Sequence, residues 1–292
     1  QAIAGFEDEQ ARGIAIDAPY RNYKDRYSKP ETVIALSPMR VLTGVRPVEQ
    51  LKTLAAAFGA AWLAERAELS PKQLLTEIIR LPEETASAAV QHLVDTAPGL
   101  LGASNEVIAD AAELVRIVDG KYPGDRGLLV AFVMNLVHLA PGESAFTPDG
   151  QVHAYVSGTA IELMNPSDNV MRAGLTAKHI DTEELIKVLG EKQDAPVIQR
   201  PNPEDGPLGT YAMWDERMSV TRVRVEEGKP LSYTFKGISA ALSVAGKVTI
   251  QAKDGNGTEE FVLGATESVL HVGEPSEAVL SGSGELYIAS YV

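Results

Sequence analysis

The spacing of apolar residues divides the chain into one helical stretch and several β-like stretches. Between Pro47 and Lys121 apolar positions recur every three or four residues, which predicts amphipathic helices that each bury one face. We expect helices over Val48–Leu69, from Ser70-Pro71 through Ile79, from Pro82-Glu83-Glu84 to Pro98-Gly99, and from a cap at Ser104 to Gly120. No strand pattern interrupts this series, so it is predicted to form one inserted helical subdomain.

Short apolar stretches separated by closely spaced turns predict β structure in most of the remaining chain. The predicted strands are Thr32–Leu36, Leu136–Leu139, Ala145-Phe146, the stretch Val152–Met164 and several strands within Ser219–Val292, with a hairpin turn at Asp254–Gly257. A short helix is expected at Thr182–Leu189, and the four prolines of Gln193–Leu208 predict an extended linker. The fold class is therefore α+β, mainly β, in which the helices interrupt one β domain or separate two.

Composition narrows the possible functions. The chain has 292 residues, of which 45% are hydrophobic and 23% charged, enough for two globular domains. Its formal net charge of -14 argues against nucleic acid or an anionic membrane as a partner. A small phosphorylated ligand stays compatible with this charge, because a few cations in a cleft can hold one phosphate.

The residue types also restrict the chemistry of any metal site. The chain has no cysteine, which excludes disulfides and thiolate sites, so a metal would need His, Glu, Asp or Gln ligands. No apolar run reaches membrane-spanning length, and Gln1–Gln10 lacks the apolar core of a signal peptide. We therefore expect a cytoplasmic protein.

One short segment concentrates groups that could carry chemistry. His153 follows a predicted turn and enters a strand, and Tyr155 shares its face because side chains alternate along a strand. Glu162 is expected on the same hairpin. A single histidine in a strand is more often structural, but the other four histidines lack a comparable polar cluster. His153 is thus the best single candidate for a metal ligand.

Two cations and a second carboxylate extend this candidate site. Arg172 follows Asp168 closely; it is either a surface arginine paired with that aspartate or a guanidinium directed at a phosphate or a developing enolate. Lys29 lies two residues before Glu31, and Glu31 follows Pro30 at the mouth of a predicted strand. From the residues alone, a solvated strand end is the favoured interpretation of Glu31.

Taken together, these segments resemble the type I mannose-6-phosphate isomerases. The motifs of that family occur in the same order over roughly the first 180 residues, as Asp25–Glu31, Tyr122–Asp125, Pro141–Phe146, His153–Tyr155 and Ser167–Thr176. Two departures stand out, since Ser144 replaces the usual alanine and Tyr27-Ser28 occupies the place of Asn-His.

The resemblance implies two cupin-like β-barrel or sandwich domains. Residues 1–46 and 122–190 would form the first, incomplete barrel with the active site, around the helical subdomain 47–121; residues 191–208 would be the linker and 209–292 the C-terminal domain. It also implies a zinc ion held by Glu31, His153 and a Gln-x-His-Pro motif. That motif would precede residue 1, so the zinc site is expected to be incomplete in this chain.

The reaction implied by the resemblance is the interconversion of mannose 6-phosphate and fructose 6-phosphate through a cis-enediol, assisted by zinc. The expected base is Glu162 or a zinc-linked group, and Lys29 and Arg172 would stabilise the oxyanion or the phosphate. Tyr155 and Asp168 would position the site. We expect a monomer that takes a small phosphosugar. The alternatives are a non-catalytic cupin-like sugar-phosphate-binding protein and an inactive fragment of a longer enzyme.

Overall fold

The computed structural model describes residues 28–167, 169–254 and 257–292. Asp168 and the first residues of the Asp25–Glu31 motif lie outside this range. The chain divides into two compact units, Gln1–Ile198 and Gln199–Val292. The expected fold class, α+β and mainly β, is confirmed, and the sheets formed by the described residues are not closed.

Two small sheets form the β part of the first unit. Its strands are β1 (Glu31–Ala35), β2 (Met39–Val45), β3 (Met134–Leu139), β4 (Ser144–Thr147), β5 (His153–Ser157), β6 (Ala160–Met164) and β7 (Ile198–Gln199). One sheet has the order β6-β1-β4-β7 and the other the order β3-β2-β5. Val33 and Ala35 of the first sheet and Met39 and Val41 of the second belong to one buried cluster, so the sheets pack face to face.

The helices of the first unit pack together over the outer face of the second sheet. They are α1 (Val48–Phe58), α2 (Ala61–Ala64), α3 (Pro71–Ile79), α4 (Glu83–Thr96), α5 (Glu106–Lys121), α6 (Gly127–Val133) and α7 (Thr182–Val188). Their apolar faces share a buried core with Leu42, Val45 and Met134 of β2 and β3. No helix in the described part of the chain is long and apolar enough to cross a membrane.

The helices occur where the sequence predicts them, with three differences. The stretch Val48–Leu69 is broken after α1, because Gly59 takes the left-handed conformation that ends a helix. The cap of α5 is Asn105 rather than Ser104, and its side chain accepts a hydrogen bond from the Val107 N–H at 3.0 Å. Helix α6 was not predicted. All seven of its residues are buried, so it has no polar face and no helical period in its sequence.

The predicted pairing of the strands that carry His153 and Glu162 is wrong. We expected Glu162 on the same hairpin as His153, but β5 pairs with β2 and β6 pairs with β1, in different sheets. The chain crosses between the sheets at Gly158, where a Cβ atom would lie 2.8 Å from the Met39 Cα. The stretch predicted as a linker contains β7 and the first residue of the next strand.

The second unit is a single antiparallel sheet of five strands. Its strands are β8 (Leu208–Tyr211), β9 (Met218–Val225), β10 (Leu231–Asp254), β11 (Gly257–Gly264) and β12 (Ser268–Tyr291), in the order β11-β10-β12-β9-β8. Residues 238–242 of β10 each pair with two stretches of β12, 268–272 and 287–291, and register shifts interrupt the pairing between the two strands. Asp254 pairs with Gly257, which confirms the predicted hairpin, while its two turn residues lie outside the described chain.

Candidate active site

Glu31 and His153 meet between the two sheets of the first unit. Glu31 begins β1 and is only 7% exposed. Its Oε2 lies 2.9 Å from Nε2 of His153, the first residue of β5, and its Oε1 accepts a hydrogen bond from Nζ of Lys29 at 2.6 Å. Glu31 is therefore a buried carboxylate engaged on both oxygens, and not the solvated strand end that its sequence context favours.

The electrostatics of this centre follow from burial and from the two neighbouring cations. Burial by itself raises the pKa of Glu31, but the hydrogen bonds and positive charge of His153 and Lys29 outweigh it and lower the pKa to about 2. Burial lowers the pKa of His153, whereas the hydrogen bond and negative charge of Glu31 raise it, and the net shift is upward. Glu31 thus stays ionised and stabilises a positive charge on His153.

A buried glutamine orients the His153 ring from the other side. The Nδ1–H group of His153 donates to the backbone carbonyl of Gln151, with 3.1 Å between the nitrogen and the oxygen. The Gln151 side chain is itself buried and donates to Oγ1 of Thr43 at 2.8 Å. A hydrogen bond at Nδ1 directs Nε2 towards the cavity described below. The sequence prediction missed Gln151, although a polar residue two positions before a candidate ligand was a signal for it.

Tyr155 and Glu162 form a second polar pair beside this centre. The Tyr155 hydroxyl donates to Oε1 of Glu162 at 2.5 Å, and the rings of Tyr155 and His153 have centroids 6.2 Å apart. Burial, the hydrogen bond and the negative charge of Glu162 raise the pKa of Tyr155 well above its usual value. The hydroxyl therefore keeps its proton and acts as a hydrogen-bond donor.

Five of the seven residues predicted for the site line one cavity. Its volume is about 570 Å³, and the five residues are Lys29, Glu31, His153, Tyr155 and Arg172. Apolar side chains from β2, α6 and α7, among them Leu42, Val130 and Leu185, complete the wall. Glu162 does not line the cavity and reaches it only through Tyr155. Asp168 lies outside the described residues.

The segment that carries Arg172 is held by contact between two glycines. A Cβ atom on Gly174 would lie 2.3 Å from the Cα of Gly127, and a Cβ atom on Gly127 would lie 2.7 Å from the Cα of Gly174. Asp125 accepts the Gly127 N–H at 2.7 Å through Oδ1 and so fixes the first turn of α6. The Tyr122–Asp125 and Ser167–Thr176 motifs therefore meet in space, at a glycine contact that the sequence prediction did not include.

Glu31 and His153 suit two positions of a zinc site. Their facing oxygen and nitrogen atoms are 2.9 Å apart, close to the separation of about 3.3 Å that tetrahedral geometry with bonds of 2.0–2.1 Å gives. An imidazole nitrogen and a carboxylate oxygen are also ligand types that zinc accepts. Among residues 28–167, 169–254 and 257–292, however, no group of three or more His, Cys, Asp or Glu side chains could hold a metal.

Known proteins with similar sequences share one name, mannose-6-phosphate isomerase. No family model matches the chain. The chain is 35% identical to the mannose-6-phosphate isomerase of Salmonella typhimurium over 206 residues, which cover 66% of this chain and 51% of that protein. It is 30% identical to the mannose-6-phosphate isomerase of Aspergillus fumigatus over an alignment that covers 91% of this chain and 68% of that protein. The chain thus spans about half the length of its bacterial relatives.

Solved structures agree with these sequence matches. The Salmonella typhimurium mannose 6-phosphate isomerase with bound fructose 6-phosphate and zinc aligns with a TM-score of 0.82 and 27% identity, over 99% of this chain and 73% of that one. A mannose 6-phosphate isomerase structure bound with zinc and yttrium aligns with a TM-score of 0.81 and 28% identity. The resemblance inferred from the motifs is thereby confirmed, and the chain belongs to the family of type I mannose-6-phosphate isomerases.

Proposed function

We propose that this chain carries the catalytic cavity of an isomerase that interconverts mannose 6-phosphate and fructose 6-phosphate. Family membership supports the reaction, and the Salmonella relative binds fructose 6-phosphate and zinc. The observation that carries the proposal is the convergence of Lys29, Glu31, His153, Tyr155 and Arg172 on one cavity. We further propose, from the sequence alone, that the protein is cytoplasmic and monomeric.

The cations of the cavity support a phosphosugar ligand. Lys29 and Arg172 both line it, and no carboxylate within the described ranges forms an ion pair with Arg172. A planar guanidinium can bind two phosphate oxygens at once, or stabilise the oxygen of an enediol. Lys29 is held by Glu31 at 2.6 Å. Arg172 is therefore the proposed anion-binding group, with Lys29 as the second cation beside it.

The proposed chemistry is proton transfer between neighbouring carbons. From the aldose side, a base removes the proton at C2 and delivers it to C1, while a hydroxyl proton moves from O2 to O1. We assign the base role to Glu162. Its carboxylate does not line the cavity and accepts a hydrogen bond from the Tyr155 hydroxyl at 2.5 Å, so this role requires the two groups to separate and the carboxylate to turn towards the substrate. Asp168 is proposed to help position the site. Zinc, held in part by Glu31 and His153, would polarise the substrate oxygens.

A second candidate function is binding of a sugar phosphate without catalysis. It is favoured by one observation, that the described residues supply two zinc ligands where catalytic sites usually supply three. The cavity and its cations would be the same in both cases. The two functions differ only in turnover.

The test is conversion of mannose 6-phosphate to fructose 6-phosphate by this chain with added zinc, repeated with a chelator. Calorimetric titration of the same protein with mannose 6-phosphate accompanies it. Chelator-sensitive conversion supports the isomerase. Saturable binding without conversion would contradict it and favour the binding protein, and absence of both would contradict the assigned cavity.

A further inference from the structure

The Gln193 side chain lies buried behind the candidate active site. Only 1% of the residue is exposed. Its Nε2 group donates to the carbonyls of Gly150 at 2.8 Å and Gly190 at 3.1 Å, and its Oε1 accepts the N–H of Val152 at 2.9 Å. Reversing the amide would oppose donor to donor and acceptor to acceptor, so its partners fix its orientation.

The backbone around Gln193 is tied to the strand that pairs with β5. The Gln193 carbonyl accepts the Val45 N–H at 2.8 Å, and the Gly44 N–H donates to the Val152 carbonyl at 2.8 Å. A Cβ atom on Gly44 would lie 2.6 Å from the Gln193 carbonyl oxygen, so the approach requires glycine there. Gln193 is therefore hydrogen-bonded both to the end of β2, through its backbone carbonyl, and to the turn that leads into β5, through its side chain.

This turn contains the group that orients His153. Gly150 and Val152, which the Gln193 amide holds, flank Gln151 on both sides. The carbonyl of Gln151 accepts the Nδ1–H of His153 at 3.1 Å. Loss of the amide would take away the side-chain partner of the buried Gly190 carbonyl and of the half-buried Val152 N–H, and would leave the Gly150 carbonyl with the Gly190 N–H alone. The turn would have to move to satisfy these groups.

We propose that Gln193 is a positioning residue for His153, acting through the turn at residues 150–152. The inference that this affects metal binding rests on the proposed function. The inference about the orientation of the imidazole does not rest on the proposed function, because the hydrogen bonds that fix the ring lie within the chain. Gln193 falls in the stretch that the sequence predicts to be a linker, and its role comes only from its place in the folded structure.

The first test observes the His153 ring directly, in metal-free protein, by NMR of imidazole N–H protons. We expect a protected Nδ1–H signal in the wild type, assigned by its absence in His153→Gln. It should be lost or strongly broadened in Gln193→Met, which keeps the side-chain length but removes all three hydrogen bonds. Ile78→Val, a buried change in α3, is the control for general loss of stability and should retain the signal. If Gln193→Met does not fold, Gln193→Glu carries the same prediction, because it cannot satisfy both carbonyls.

The second readout is zinc affinity, measured by competition with a chromophoric chelator. Loss of a group that orients a ligand typically weakens metal binding by about 10- to 100-fold, and we expect this for Gln193→Met but not for Ile78→Val. An unchanged Nδ1–H signal in Gln193→Met, or no protected signal in the wild type, would overturn the proposal. A wild-type protein that shows the expected signals but does not isomerise mannose 6-phosphate would contradict the proposed function alone.

Discussion

Nε2 of His153 lies 2.9 Å from Oε2 of Glu31, although 122 positions separate the two residues in sequence and they begin strands of different sheets. The contact exists because the two sheets pack face to face and present the starts of β1 and β5 to the same space. Each group stabilises the charged form of the other, as the opposite shifts of their pKa values show. This pair is the centre around which the remaining cavity residues are arranged.

Replacing the carboxylate of this pair should weaken zinc binding. Glu31→Gln keeps the shape of the side chain but removes its negative charge, and a neutral amide oxygen is a poorer zinc ligand. We expect a loss of affinity of at least about 100-fold, more than is typical for groups that only orient a ligand. The zinc affinity is measured by competition with a chelator. The control is Glu113→Gln, which replaces a glutamate that forms an ion pair with Arg116. Equal affinity in Glu31→Gln and the wild type would exclude Glu31 as a ligand.

The roles of Tyr155 and Glu162 can be separated by a double-mutant cycle. If Glu162 is the base, Glu162→Gln should lower kcat by about 100-fold or more, whereas Tyr155→Phe should lower it less, because it removes only a hydrogen bond. The combined variant should then resemble Glu162→Gln. Equal losses in all three variants would instead mean that Glu162 acts only by orienting the Tyr155 hydroxyl.

The contact between Gly127 and Gly174 should be intolerant of any side chain. Gly174 has φ of +141° and its Cβ would lie 2.3 Å from a backbone atom, so Gly174→Ala should displace the Arg172 segment and raise KM for the phosphosugar. Gly120→Ala is the matched control, since no atom beyond its chain neighbours and the local helix backbone lies within 4 Å of its Cβ position in α5. Alanine there should be neutral or stabilise by up to about 1 kcal/mol. Unchanged steady-state kinetics in Gly174→Ala would show that this contact does not position Arg172.

Arg126 should contribute to the stability of the first unit. Its Nη2 group donates to the carbonyls of Ile79 at 2.9 Å and Leu81 at 2.7 Å, at the C-terminal end of α3, and lies 3.4 Å from the Ile78 carbonyl oxygen. Hydrogen bonds from charged groups are worth about 1.5–3 kcal/mol, so Arg126→Ala should lower the free energy of unfolding by an amount in that range. Arg80→Ala, which removes an exposed ion pair with Glu183, should cost no more than about 1 kcal/mol. Urea unfolding measures the loss in free energy of unfolding for each variant. Equal losses would contradict a stabilising role for the hydrogen bonds of Arg126 at the end of α3.

The parts of the fold that carry a local pattern could be predicted from the sequence. The α3 start is an example, since Ser70 and Gln73 form the capping box and Pro71 occupies the first turn. Helix α6 could not be predicted in this way, because a buried helix lacks the alternation of apolar and polar faces.

In the candidate site too, only the features with a local sequence pattern could be predicted. The His-Ala-Tyr motif and strand alternation were enough to bring His153 and Tyr155 together. Gln151, Gln193 and the Gly127–Gly174 contact were missed, because their importance depends on packing between segments far apart in the chain. A glutamine in a proline-rich stretch gives no local sign that it will be buried against the turn before a candidate ligand.

The most direct test of the account is the rate of mannose 6-phosphate conversion by the zinc-supplied wild type and by Arg172→Ala, with Arg116→Ala as a surface control. Removing a group that stabilises charge in the transition state costs about 100- to 1,000-fold in kcat. We expect chelator-sensitive turnover in the wild type, a loss of that size in Arg172→Ala, and wild-type rates in Arg116→Ala. No conversion by the wild type, or equal rates in Arg172→Ala and the wild type, would contradict it.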